Sequence, residues 1–93
     1  MGPEQHEPAD HAAMISRIRN ARFRTTRLRP GYDDREVDTF LDRLVAALSD
    51  PGSLDPLLVR EARFPLTRWR PGYEPAEVEA LLDEVERYAE GHR

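Results

Sequence analysis

The chain has 93 residues, a length that suits one small domain near the lower limit for burying a useful core. With 39% hydrophobic and 34% charged residues and a net charge of −4, it reads as globular but highly charged, and its acidic balance argues against a general nucleic-acid binder. It has no Cys, which excludes disulfides, a thiol nucleophile and a Cys-based zinc site, and no apolar run approaches the ~18–20 residues of a membrane span or forms a signal-peptide core, so the expected location is the cytoplasm.

Residues 1–12 carry Pro, Gly, His and acids with no apolar periodicity, and are expected to be a disordered tail. Met14, Ile15, Ile18 and Ala21 then predict a short helix, with Asp10 as a candidate cap. From Phe23, the stretch FRTTRLR alternates in polarity and is expected to be an extended arm. Arg29-Pro30-Gly31-Tyr32 fits a type II turn, with Pro at its second place and Gly supplying a positive φ at its third. Asp33 follows as N-cap and Glu36 as its reciprocal partner in a capping box, while Tyr32 and Val37 are spaced as a hydrophobic staple. Val37, Phe40, Leu41, Leu44, Val45 and Leu48 recur at i, i+3, i+4, i+7, i+8 and i+11, which predicts an amphipathic helix of about 15 residues, roughly 22 Å long. Asp38 and Asp42 share its polar side. They read either as a docking face for Arg or as a solvated face, and the second is the expectation.

The segment SDPGS at Ser49–Ser53 stops this helix, and residues 50–54 serve as a linker. Asp55 as cap and Pro56 at the first helical position open a second short helix, with Leu57, Leu58 and Ala62 on its inner side. The motif then returns. Phe64 leads into an arm, and Arg70-Pro71-Gly72-Tyr73 repeats the turn. Glu74 is a weaker cap, Pro75 takes the first helical position, and Glu77 and Val78 repeat the box and the staple. Val78, Leu81, Leu82, Val85 and Ala89 make the second apolar stripe, and Glu79 and Asp83 the second acidic pair.

The period is 41 residues: Phe23 falls on Phe64, Arg27 on Arg68, Arg29 on Arg70, Tyr32 on Tyr73, Glu36 on Glu77 and Val37 on Val78. Two copies are too few for a solenoid. The expected fold is all-α: two tandem short helix–extended arm–turn–longer helix repeats, at 13–49 and 55–90, packed as a pseudo-twofold pair. Its expected core is Phe23, Val37, Phe40, Leu41, Leu44, Phe64, Val78, Leu81, Leu82 and Val85.

IRNARFRTTRLRPGYDDREVDTFLD resembles the N-terminal domain of the DivIVA family of bacterial cell-division and polar-scaffold proteins. Ile18, Asn20, Phe23, Arg29, Gly31, Tyr32, Asp33, Glu36, Val37, Asp38, Phe40 and Leu41 carry the resemblance. Phe64, Arg70, Gly72, Tyr73, Glu77, Val78 and Leu82 carry it in the second copy. The resemblance implies pairing with interlocked arms, either within the chain or as a homodimer. It also implies arm tips, here Leu28-Arg29 and Trp69-Arg70, that insert into membrane. The chain departs from the family's pattern at Pro30 and Pro71, which separate that Arg from the Gly.

The expected function is a non-enzymatic interaction module acting by helix pairing, as a small cell-division or polar-scaffold-related adaptor with a protein partner or itself. The alternative is weak, peripheral contact with anionic membrane through the tips, where Leu28 and Trp69 each lie between two Arg. Against it stands packing of Leu28 and Trp69 between the repeats or against a partner, the common fate of a lone Trp, and this is the expectation. Six Arg between Arg17 and Arg29 offer a basic arm, but the following helix is acidic and no aromatic platform interleaves them, so nucleic acid is not expected. No catalytic residue, metal site or cofactor is expected, since the only His residues are His6, His11 and His92, in the terminal segments.

Overall fold

The computed structural model describes residues 6–49 and 54–92, with side chains from Asp10 onward. The chain order is α1 (His6–Arg19), β1 (Gly31–Tyr32), α2 (Asp34–Ser49), α3 (Pro56–Arg60), β2 (Leu66–Thr67) and α4 (Pro75–Gly91). The fold is predominantly helical, and the arms add a minimal antiparallel sheet in which Gly31 faces Thr67 and Tyr32 faces Leu66.

The first helix is longer than expected. It starts at His6, so residues 6–12, read as part of a disordered tail, belong to α1, and Asp10 lies inside the helix rather than at its cap. Residues 1–5, and residues 50–53 of the expected linker, lie outside the described residues. The second short helix starts as its sequence dictates: the Asp55 carboxylate accepts the Leu57 N–H at 2.9 Å, and Pro56 sits where its missing N–H costs nothing. Its buried face differs from expectation, because Pro56 and Val59 turn inward while Leu57 stays 47% exposed.

The helix directions follow from the contacts. Arg17 pairs with Glu84 at 3.2 Å, His11 bonds Tyr88, and Asp10 meets His92 at 3.3 Å, so α1 runs antiparallel to α4. Phe23, just past the end of α1, packs on Tyr73, whose hydroxyl reaches Asp38 near the start of α2, and α1 packs along α2 from there, so α1 is antiparallel to α2 as well. The long helices α2 and α4 therefore run in the same direction. Their starts are adjacent: Tyr32 and Tyr73 exchange two backbone hydrogen bonds of 2.9 Å.

The core is one buried cluster to which both helices contribute. Val37, Leu44, Val78, Leu81 and Val85 are fully enclosed, and Phe40, Leu41 and Leu82 are buried beside them. Met14 and Ile18 of α1 and Val59 of α3 close the sides. Phe23 and Phe64, expected in the core, are half-buried at its rim, where Phe23 packs on Tyr73 (5.1 Å between ring centroids) and Phe64 on Tyr32 (5.4 Å).

Candidate functional site

The arms cross. Thr26 donates its N–H to Gly72 O at 2.8 Å, and its nearly buried hydroxyl accepts the Gly72 N–H at 3.2 Å. Gly31 packs directly on Gly72. A Cβ at Gly31 would stand 2.8 Å from the Gly72 carbonyl carbon and 2.7 Å from Thr26 Oγ1, and one at Gly72 would stand 2.6 Å from Tyr32 O. Neither glycine adopts a positive φ. The expected type II turn at Pro30-Gly31 and Pro71-Gly72 is thus replaced by bends at residues 27–29 and 68–70, with Gly31 in β1. Glycine is needed here because two main chains touch.

The helix starts are completed across the crossing. Asp33 caps α2 as expected, accepting the Arg35 N–H at 3.0 Å. The reciprocal half of each capping box is missing. The Asp33 N–H goes to Pro65 O and the Glu74 N–H to Arg24 O, both at 2.9 Å, while Glu36 is exposed. Glu77 instead accepts the Arg24 backbone N–H at 2.8 Å and its Nε at 2.7 Å. These bonds, first the backbone N–H and then the guanidinium, hold the Glu77 carboxyl below its usual range. Glu74 makes no side-chain cap and receives Arg29 at 2.6 Å. Arg70 reaches Asp34 at 2.7 Å and Asp33 at 3.0 Å, and its hydrogen bond lowers the Asp34 carboxyl. Arg29 and Arg70 therefore latch each arm to the start of the opposite helix.

The tyrosines cross too. Tyr73 donates its hydroxyl to Asp38 at 2.9 Å and Tyr32 donates to Glu79. Burial, reinforced by the Asp38 bond, pushes the Tyr73 phenol up to about 12, and the Glu79 bond raises Tyr32. A phenol raised in the folded state contributes stability that is intact below pH ~10, the ordinary tyrosine value, and is lost as pH climbs through the folded value. Denaturant melts between pH 9 and 12 are therefore expected to show a progressive loss that Tyr73→Phe removes in part. A flat parental profile over that range would contradict the Tyr73–Asp38 bond.

Beyond the latches stand the tips. Leu28 is 100% exposed and Trp69 96%, so the expectation that they pack between the repeats is corrected. The bends carry both residues past the starts of the parallel helices, at one end of the molecule. Arg27 and Arg68 are exposed beside them, and neither belongs to an ion pair among the described residues.

Two clefts flank the core. One, of about 480 Å³, lies between α1 and α2 below Tyr73; the other, of about 330 Å³, lies between α3 and α4 below Tyr32. Asp38 and Asp42 line the first and are both exposed, as a solvated face requires, and Asp38 also accepts the Tyr73 hydroxyl.

At the far end the structure gathers residues that the sequence keeps more than 70 positions apart. His11 and His92 meet around Tyr88, whose ring stacks on His92 at 4.0 Å. No group of three or more potential ligands able to hold a metal occurs among the described residues, and no described helix is long and apolar enough to cross a membrane. No protein-family model matches the chain, and no curated protein or solved structure matches it.

Proposed function

We propose that the chain is a non-enzymatic, DivIVA-like interaction module, two tandem repeats packed as a pseudo-twofold pair, whose working end is the pair of arm tips docking on an anionic membrane surface. The observation that carries this reading is the near-complete exposure of Leu28 and Trp69 on latched loops at one end. The cross-arm contacts support the pairing, because they recur 41 residues apart: Tyr32–Glu79 with Tyr73–Asp38, and Arg29–Glu74 with Arg70–Asp33. The resemblance supplies the wider role, a small bacterial cell-division or polar-scaffold-related adaptor.

Arg27 and Arg68 each add roughly 1 kcal/mol near an anionic surface, and Trp favours the interface. Two wedges on an acidic protein give weak, reversible attachment. Trp69 is the only Trp, so its emission reports on the tip alone. Red-shifted emission in buffer is expected to move blue with anionic vesicles and to stay put with neutral ones. Leu28→Ser with Trp69→Ser should abolish vesicle sedimentation at unchanged melting temperature, since exposed positions cost within about 0.5 kcal/mol. Emission unmoved by anionic vesicles would reject membrane docking and leave a protein partner as the occupant of the tips.

A further inference from the structure

The two clefts are lined by equivalent positions. Each residue lining one lies 41 positions from a residue lining the other, and one chemical difference separates them. In the α3–α4 cleft, Arg60 lies under two carboxylates one helical turn apart: its Nε donates to Glu86 at 2.8 Å and its Nη2 to Glu90 at 2.7 Å. In the α1–α2 cleft the equivalent arginine is Arg19, and the positions equivalent to those acids hold Val45 and Ser49. Arg19 and its neighbour Arg22 form no ion pair among the described residues, and the cleft is the larger of the two.

We propose that the α1–α2 cleft docks an acidic helical segment of a partner protein, which offers Arg19 and Arg22 the pair of carboxylates that Glu86 and Glu90 offer Arg60. The inference is independent of the arm tips. The molecule itself displays the recognition geometry: two carboxylates at i and i+4 on one helix face, gripping one guanidinium by two separate nitrogens. Val45 and half-buried Phe23 supply an apolar floor for a side chain on the same face of the incoming helix. The acids of this cleft do not compete for its arginines: Asp38 is engaged by Tyr73, and Asp42 pairs with neither. A segment bearing arginines would meet like charge at Arg19 and Arg22 and opposite charge at Asp38 and Asp42, so the peptide with Arg in place of Glu decides between the two pairs.

The test uses the full chain and a fluorescein-labelled, alanine-based helical peptide of about 18 residues carrying Glu at i and i+4 beside a Leu, long enough to be helical in water. Saturable anisotropy is expected, weakening as salt rises. Arg19→Ala should lower affinity about tenfold or more, since it removes a charge-assisted hydrogen bond pair, whereas Arg60→Ala in the other cleft should change it less than about twofold. Ser49→Glu, at an exposed position equivalent to Glu90, offers Arg19 a carboxylate from its own chain and should also weaken binding. The proposal is overturned by no saturable binding, by binding that survives Arg19→Ala, or by equal or tighter binding of the peptide with Arg in place of Glu.

Discussion

Gly31→Ala is expected to destabilise the protein by about 3 kcal/mol or more, at the upper end of overpacking costs, and Gly31→Val to leave it largely unfolded. The atoms a methyl group would meet are mostly main chain: the Gly72 carbonyl carbon at 2.8 Å and Cα at 2.9 Å. No rotamer change can move them. Separating the two strands would stretch the bonds that hold the crossing, Thr26 N–H to Gly72 O and the Tyr32–Tyr73 pair. At about 4–8 °C per kcal/mol for a domain of this size, the alanine variant should melt roughly 12–24 °C below the parent. Gly91→Ala is the internal control. It sits in α4 with nothing within 4 Å of the added carbon, and should stabilise slightly, by about 0.5–1 kcal/mol at most. Equal melting of Gly31→Ala and the parent would mean that the arms do not cross at this point.

Local signals in the sequence located the elements well and misjudged what several residues are for. The apolar stripes of α2 and α4 follow from helical periodicity, and Val37, Phe40, Leu41, Leu44, Val78, Leu81, Leu82 and Val85 are all buried where that periodicity puts them. Gly31 and Glu77 sit at the right places for the wrong reason. Pro-Gly before a cap residue is a strong short-range turn signal, but Gly31 answers to Gly72, 41 positions away, and Glu77 answers to Arg24 rather than to its own helix start. A contact between distant segments leaves no mark within a four-residue window. The period of 41 was the usable clue: two copies of an arm rich in Arg, each followed by a helix start rich in acids, are complementary across copies as much as within them. Trp69 was misplaced because lone tryptophans usually pack. Here Arg70, anchored on Asp33 and Asp34, holds the bend outward and leaves the indole beyond reach of the core. The cluster of His11, Tyr88 and His92 had no sequence signal, since only the extension of α1 to His6 brings the start of that helix alongside the end of α4.

Leu44→Ala and Leu81→Ala should each cost about 2–5 kcal/mol, the range for deleting an enclosed leucine side chain and leaving a cavity. Leu44 is 0% exposed and Leu81 2%, and they come from α2 and α4, so the two deletions probe the one buried cluster from each long helix. A domain of this length carries roughly 5–14 kcal/mol in all, so either variant loses a large share of it and the double variant should be unfolded at room temperature. Leu28→Ala, at a fully exposed position, should stay within about 0.5 kcal/mol of the parent and separates burial from mere loss of a leucine. Far-UV circular dichroism is the probe to use, because the indole of Trp69 is 96% exposed in the folded state and its emission changes little on unfolding. Because one buried cluster includes residues of both long helices, each single variant should lose α2 and α4 in one transition. Two separated transitions, or a Leu44→Ala melt that overlays Leu28→Ala, would show that the long helices do not share a core.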